Sequence, residues 1–260
     1  MMTIPEPLFP LFIFFLGLIF GSFSSVCIHR LPKGESILTP RSHCTNCQAL
    51  IRAYHNIPLV SYLWLMGRCR SCGAAISWRY PLVELLTGLL YWSLFLQFGF
   101  SLTWLVYALL VTALIIASFI DLEHQIIPDV ISLPGLALGL LLSGPLLPIS
   151  FLDSLVGALV GGGIFYLIAL LYRGGMGGGD IKLIAMIGSF IGLRMVLLTI
   201  FVAAFSGSLV GLILILFKGK GRKDAVPFGP FLSSGAILGL LWGEWLIRRY
   251  VQLSSFLFLQ

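Results

Sequence analysis

The sequence predicts an all-α polytopic membrane protein of about eight transmembrane helices, with a small cytoplasmic zinc-binding loop domain between the first and second. Three observations carry this. Of 260 residues, 58% are hydrophobic and 10% charged, at a mean hydropathy of +1.03, whereas an ordinary soluble domain carries about 25% charged residues. The apolar residues fall in unbroken runs, several of them long enough for the roughly 20 residues that one helical crossing needs. The formal net charge of +6 is gathered into a few inter-helix loops, as the positive-inside bias demands, and does not form the surface stripe of a nucleic-acid binder.

The first span runs from Leu8 to Ile28. Only Glu6 precedes it, and no small-x-small pattern follows its apolar run, so it reads as a retained helix and not as a signal peptide. Residues 29 to 80 then carry Arg30, Lys33, Arg41, Arg52, Arg68, Arg70 and Arg79 against the single acid Glu35. Spans at Pro81 to Phe98 and Ser101 to Ile120 are joined by Gly99-Phe100, short enough to force an antiparallel pair. The polar stretch Asp121 to Asp129 interrupts; Pro128 ends one helix and Asp129 is placed to cap the next. A short span from Val130 to about Ser143 is broken by Gly144-Pro145, and Asp153 opens the run to Tyr172.

Residues 181 to 217 are apolar for longer than one helix can use, so they must fold back, with Gly192-Leu193-Arg194 as the turn. The helix before that turn is then too short to cross unless it starts inside the bilayer, which puts Asp180 below the membrane surface. Lys218, Lys220, Arg222 and Lys223 form a second basic loop, and Phe231 to Ile247 is the last span. Three domains result: 1–28, a first helix; 29–80, the cysteine-rich loop; and 81–260, about seven helices carrying Asp121 and Asp180. Helix parity places thirteen of the sixteen basic residues inside, leaving Arg194, Arg248 and Arg249 outside. The same parity brings Asp121 and Asp180 to one cytoplasmic side.

Cys44, Cys47, Cys69 and Cys72 form C-x2-C-x21-C-x2-C, the spacing of two knuckles that supply four thiolates to a tetrahedral zinc; with every position filled, such a site is structural. Disulfides or redox dithiols are the competing reading, and the reducing compartment implied by charge stands against them. A loop of this size has too small a core to fold readily alone, so a metal staple has a physical reason. Cys27 reads as packing. His29, His43, His55 and His124 are not needed as ligands and read as surface or interfacial residues. Glu84 either pairs with an arginine such as Arg79 or holds a polar cavity, and Lys182 is expected to snorkel to the interface rather than bias Asp180.

The stretch Gly174 to Leu183 places Asp180 after five glycines in six positions. An acid at membrane depth is functional by default, and glycines allow sharp bending and close approach of another backbone. A loose loop followed by a capping Asp is the plainer alternative. Two adjoining carboxylates would share a proton, so that one Asp acts as base on a water while the other polarises a peptide carbonyl. Against this stands a reading in which Asp121 and Asp129 cap helices and Asp180 lines a channel. A proton-coupled transporter is thus a second class, although no repeated halves with broken helices are visible; a zinc-stapled assembly scaffold is a third.

The residues closely resemble the type IV prepilin peptidases, leader peptidases and N-methyltransferases within the GxGD intramembrane aspartyl proteases. The matching pieces cover almost the whole chain: Gly21-Ser22-Phe23 with His29-Arg30-Leu31-Pro32, the four-cysteine loop, Asn56-Ile57-Pro58, Ile76-Ser77 leading to Tyr80-Pro81-Leu82-Val83-Glu84, Ile120-Asp121 with Ile127-Pro128-Asp129, Gly177-Gly178-Gly179-Asp180-Ile181-Lys182-Leu183, and Pro227-Phe228-Gly229-Pro230. The resemblance implies that Asp121 and Asp180 are the catalytic pair, with Gly177, Gly178, Gly179 and Lys182 supporting the second acid, and that the four cysteines hold structural zinc. It implies a bacterial inner-membrane enzyme acting on type IV prepilins and type II secretion pseudopilins, cut after a Gly at the cytoplasmic face, with the new amine methylated from S-adenosylmethionine. A GxGD protease for other membrane substrates, without methylation, is the nearest alternative. The family's first-helix motif usually carries Asn where this chain has Ser25, and a large apolar residue where it has Ser24. No G-x-G-x-x-G after a strand marks a methyl-donor site, so no cofactor-binding residue is assigned.

Overall fold

The computed structural model describes residues 8–172, 176–218 and 226–258. Arg173, Gly174 and Gly175 of the glycine run, and Lys220, Arg222 and Lys223 of the second basic loop, lie outside the described residues. Among those described, the long elements are helices: α1 Leu8–Arg30, the short α2 Val60–Trp64, α3 Arg79–Phe98, α4 Leu102–His124, α5 Asp129–Leu142, α6 Phe151–Leu171, α7 Gly178–Lys218 and α8 Gly229–Phe258. Six are long and apolar enough to cross a membrane, with Asp129–Leu142 shorter. Helix α7 is two helices joined at Gly192, where φ is 74° and ψ −179°. That is the fold-back the sequence predicts. The protein is a multi-pass, all-helical membrane protein, and its chain divides into two compact units, Met1–Ile120 and Asp121–Gln260.

In the first unit, α1 lies against α3 with almost no side chain between them. A Cβ on Gly21 would meet the Glu84 Cα at 2.6 Å, and one on Gly17 the Gly88 Cα at 2.8 Å. Glycines four apart on one face let two helices pack backbone to backbone, the main source of association where lipid removes the hydrophobic drive. Ser24 and Ser25, on the same helix, are buried; Ser24 Oγ donates to the Phe20 carbonyl at 2.8 Å, while Ser25 Oγ has no partner among the described residues. Helices α3 and α4 are locked by the Tyr91 and Thr112 hydroxyls, 2.9 Å apart, and by Trp104 Nε1 donating to the Tyr91 carbonyl at 3.2 Å.

In the second unit, glycines again set the spacing. Gly157 of α6 and Gly188 of α7 face each other, and a Cβ on Gly157 would lie 2.6 Å from the Gly188 carbonyl oxygen. Ser154 Oγ donates to the Ser189 carbonyl at 2.6 Å across the same contact.

One helix end and two helix starts differ from the sequence expectation. Helix α4 continues through Asp121 to His124, because nothing breaks a helix before Gln125, whose φ of 53° ends it. Asp129 does not cap α5; the cap position is Pro128, and no side chain bonds the free amides there. Helix α6 opens at Phe151, with the Ser150 hydroxyl accepting the Asp153 N–H at 3.1 Å. The Asp153 carboxylate is thereby free to accept the Leu193 N–H at 3.1 Å, and it caps the second half of α7 across the Gly192 break.

Candidate active site

Asp121 sits in the last turn of α4, 5% exposed. Its Oδ2 accepts the Gly229 N–H at 2.8 Å. Gly229 begins α8, where amides lack intrahelical partners, and Pro230 beside it suits the first turn of a helix. The approach is close enough that a Cβ on Gly229 would fall 2.8 Å from the same carboxylate oxygen. Phe228, packed against Phe165 of α6 with ring centroids 6.0 Å apart, anchors this turn.

Asp180 lies in the first turn of α7, which starts at Gly178; the helix begins inside the glycine run and not after it. Its N–H donates to the Gly177 carbonyl at 3.1 Å. A Cβ on Gly177 would stand 3.1 Å from Asp180 Oδ2. A Cβ on Gly179 would meet the Ile127 Cβ at 2.9 Å, so the turn after α4 presses directly on the start of α7. At Gly178 a Cβ would meet nothing within 4 Å among the described residues, which place no steric demand for glycine there. These contacts bring the Asp121 and Asp180 carboxyls close enough to act on each other electrostatically. Asp180 Oδ1 is buried without a partner among the described residues. A buried carboxylate oxygen left unbonded is costly, and a proton shared with a second acid, or a water between them, relieves it.

Lys182 is ion-paired and partly exposed. Its Nζ donates to both Asp129 carboxylate oxygens, at 2.7 and 2.8 Å. The pair ties the start of α5 to the start of α7 and neutralises the cation nearest in sequence to Asp180. Glu84 is buried, and its Oε2 accepts the Leu59 N–H at 2.8 Å.

In the first unit, the four cysteine Sγ atoms lie within 4.8 Å of one another, all unbridged. Each knuckle folds the same way. Cys44 N–H donates to the Ala49 carbonyl at 2.9 Å and Cys69 N–H to Ala74 at 2.8 Å, and the residue after each second cysteine, Gln48 or Gly73, has φ of 59° or 71°. Backbone amides thus point at the sulfurs. The Ala74 N–H, helped by Asn46, draws the Cys72 thiol down to about 6. The N–H groups of Cys47 and Asn46 also hold Cys44 below the usual thiol range. Four thiolates alone repel; a cation among them removes the conflict. A tetrahedral ion with metal–sulfur lengths of about 2.3 Å needs sulfur separations of about 3.8 Å, and Cys44 Sγ is 3.9 Å from Cys72 Sγ. The cluster fits a metal ion. The histidines stay out of it: His29 Nε2 is 3.0 Å from Lys33 Nζ, His43 Nδ1 is 3.0 Å from the Arg41 carbonyl, and His55 stacks edge-on against Tyr54. Cys27 is buried, as expected of packing.

Two family descriptions match the chain: the bacterial peptidase A24 N-terminal domain over residues 15–98, and the type IV leader peptidase family over residues 108–212. Curated relatives cover it almost end to end. A prepilin leader peptidase/N-methyltransferase of Pseudomonas aeruginosa is 39% identical over 93% of either chain.

The chain belongs to the type IV leader peptidase family.

Relatives of the same name from Myxococcus xanthus and Bacillus subtilis are 42% and 36% identical, covering 82% and 93% of this chain and 65% and 98% of their own. No solved structure matches. For this leader peptidase family member, sequence reasoning missed two features at the acids. One is the Gly229 amide on Asp121, signalled only by a Gly-Pro at a helix start. The other is the Asp129 partner of Lys182, for which two opposite charges beside the two acids were the available sign.

Proposed function

We propose that the chain is an aspartic endopeptidase that removes the leader from type IV prepilins and related pseudopilins, with Asp121 and Asp180 as the catalytic pair. What supports this reading is that the two acids, from α4 and α7, lie near enough to act on each other electrostatically and that Asp180 Oδ1 is buried without a partner among the described residues. In this reading one carboxylate takes a proton from a water whose oxygen attacks the scissile carbonyl carbon. The other, protonated, donates to that carbonyl oxygen and polarises it. The tetrahedral adduct collapses as the amide nitrogen receives a proton and leaves as the new terminal amine. The Gly229 amide holds the Asp121 carboxylate fixed through these steps, and the glycines at 177 and 179 set where Asp180 stands. Lys182, neutralised by Asp129, positions α7 and takes no part in the proton transfer.

Membership of the family supports a bacterial inner-membrane location, with the cysteine loop and the acids toward the cytoplasm. In this reading the chain has three functional parts: a first helix to residue 28, a loop domain over 29–80, and the peptidase helices beyond. Cys44, Cys47, Cys69 and Cys72 hold zinc as a structural clamp, which orders the loop and supplies no chemistry to peptide hydrolysis. The relatives' names carry N-methyltransferase, and this chain methylates the new amine with S-adenosylmethionine as donor. The test is Asp121→Asn and Asp180→Asn in the full-length protein, reconstituted with a purified prepilin. Loss of leader removal by 100-fold or more, about the lower range of acid–base catalysis, is expected with membrane insertion unchanged; turnover near wild type in either variant refutes the assignment.

A further inference from the structure

The four-cysteine loop does not stand clear of the membrane. Leu59, which donates to Glu84 at 2.8 Å, meets α3 five residues inside its start at Arg79, about 7.5 Å along the helix. The loop segment around Leu59 therefore reaches back to membrane depth. Between it and α1 lies a cleft of about 930 Å³ whose lining runs from Phe15 of α1 to Arg41 and Arg52 of the loop. From Phe15 to Arg30, α1 rises about 22 Å, which is one leaflet with its headgroups, half of the roughly 40–45 Å total.

Apolar side chains line the cleft throughout, and its charged side chains, Arg30, Arg41 and Arg52, lie toward the loop end. Phe15, Ile19 and Phe23 present apolar surface 50%, 58% and 44% exposed. At the other end Arg30 is buried, with its guanidinium committed to the Ser36 and Pro40 carbonyls at 2.9 and 2.7 Å, so it fixes the rim. Arg41 and Arg52 are exposed at that rim. Glu35 and Glu84 are the only acids between residues 8 and 120, and among the described residues no carboxylate pairs with either arginine.

An apolar channel one leaflet long, closed at its headgroup end by two cations without acidic partners, matches one ligand chemistry. We propose that the cleft holds an anionic phospholipid from the leaflet facing the four-cysteine loop, its phosphate against Arg41 and Arg52 and an acyl chain along Phe15, Ile19 and Phe23. This site is independent of the peptidase reading and survives if that reading fails.

The test uses the full-length chain in nanodiscs of phosphatidylcholine with a minority of phosphatidylglycerol, released and weighed by native mass spectrometry. Retention of phosphatidylglycerol over phosphatidylcholine by about 30-fold is expected, the preference two basic contacts give near a membrane surface. Arg41→Gln with Arg52→Gln should bring the preference close to one. Ile19→Trp, which fills the apolar end, should lower retention of both lipids while circular dichroism and metal content stay unchanged. Equal preference in wild type and the double arginine variant overturns the proposal. So does binding of glycerol phosphate alone with the affinity of the whole lipid, which would make this a simple phosphate site. One-for-one displacement of the lipid by an uncharged transmembrane peptide also overturns it, assigning the cleft to a protein helix.

Discussion

Gly178 and Gly179 are adjacent and chemically identical, yet Ala is expected to have opposite consequences at the two. At Gly179 the added Cβ would sit 2.9 Å from the Ile127 Cβ and 3.4 Å from the Ile127 backbone nitrogen. Ordinary carbon contacts lie at about 3.5–4.0 Å, so the start of α7 must move away from the turn after α4 by roughly 1 Å. Overpacking of this kind costs about 1–3 kcal/mol of stability. The larger effect is on catalysis, because that turn carries Ile127 directly after the helix of Asp121, and α7 carries Asp180. Misplacing reacting groups by roughly 1 Å lowers turnover by about 100-fold. At Gly178 none of the described residues lies within 4 Å of the new Cβ, and Ala in a helical turn is favoured over Gly by up to about 1 kcal/mol. Leader removal from a purified prepilin, followed in single-turnover conditions by product mass, compares the two, with membrane abundance and thermal melting as controls. Gly178→Ala within threefold of wild type and Gly179→Ala down by about two orders of magnitude is the expected result. Equal rates for the two variants would refute the claim that backbone contact at Gly179 sets the spacing of the acids.

Gly192→Ala should destabilise the second unit by more than about 1 kcal/mol, since an L residue is strained at the observed φ and its Cβ would collide with the Asp153 carboxylate; the midpoint of thermal unfolding measures it, and no change would contradict the capping role of Asp153. Lys182→Met should cost less than about 1 kcal/mol, because the Lys182 and Asp129 side chains are 40% and 57% exposed and solvent screens the pair; a double-mutant cycle with Asp129→Asn reads the coupling, and a value of several kcal/mol would show that the pair is desolvated in the membrane. The purified protein should contain one zinc per chain, and Cys44→Ser or Cys72→Ser should lose it together with protection of residues 36–76 from proteolysis; elemental analysis returning no metal in wild type would remove the clamp.

Much of this protein is legible along the chain because membrane segments obey local rules. Apolar run length gave the spans and the fold-back at Gly192, and cysteine spacing gave the four-sulfur cluster. Each signal is contained within a few dozen residues, and bilayer thickness or tetrahedral geometry reads it directly. Boundaries were less legible. The acid Asp121 reads as an interruption by polarity, yet a helix turn tolerates an Asp at its end, so α4 runs through it. Asp129 and Asp153 have the residue type of a cap, but which carboxylate caps which helix depends on where the other helices start.

Composition and spacing by themselves determined that the chain crosses a membrane repeatedly, that its loop offers four thiols to one ion, and that two acids stand at helix ends on one side. Tertiary structure alone decided the partners: Gly229 for Asp121 across 108 positions, Asp129 for Lys182 across 53, Leu193 for Asp153 across 40, and Leu59 for Glu84 across 25. The physical reason is that each of these groups could be satisfied by several donors or acceptors of the same type. The choice among them is made by the glycine faces that let particular helix backbones touch; the four-residue glycine spacing is visible in the sequence, but which face meets which is not.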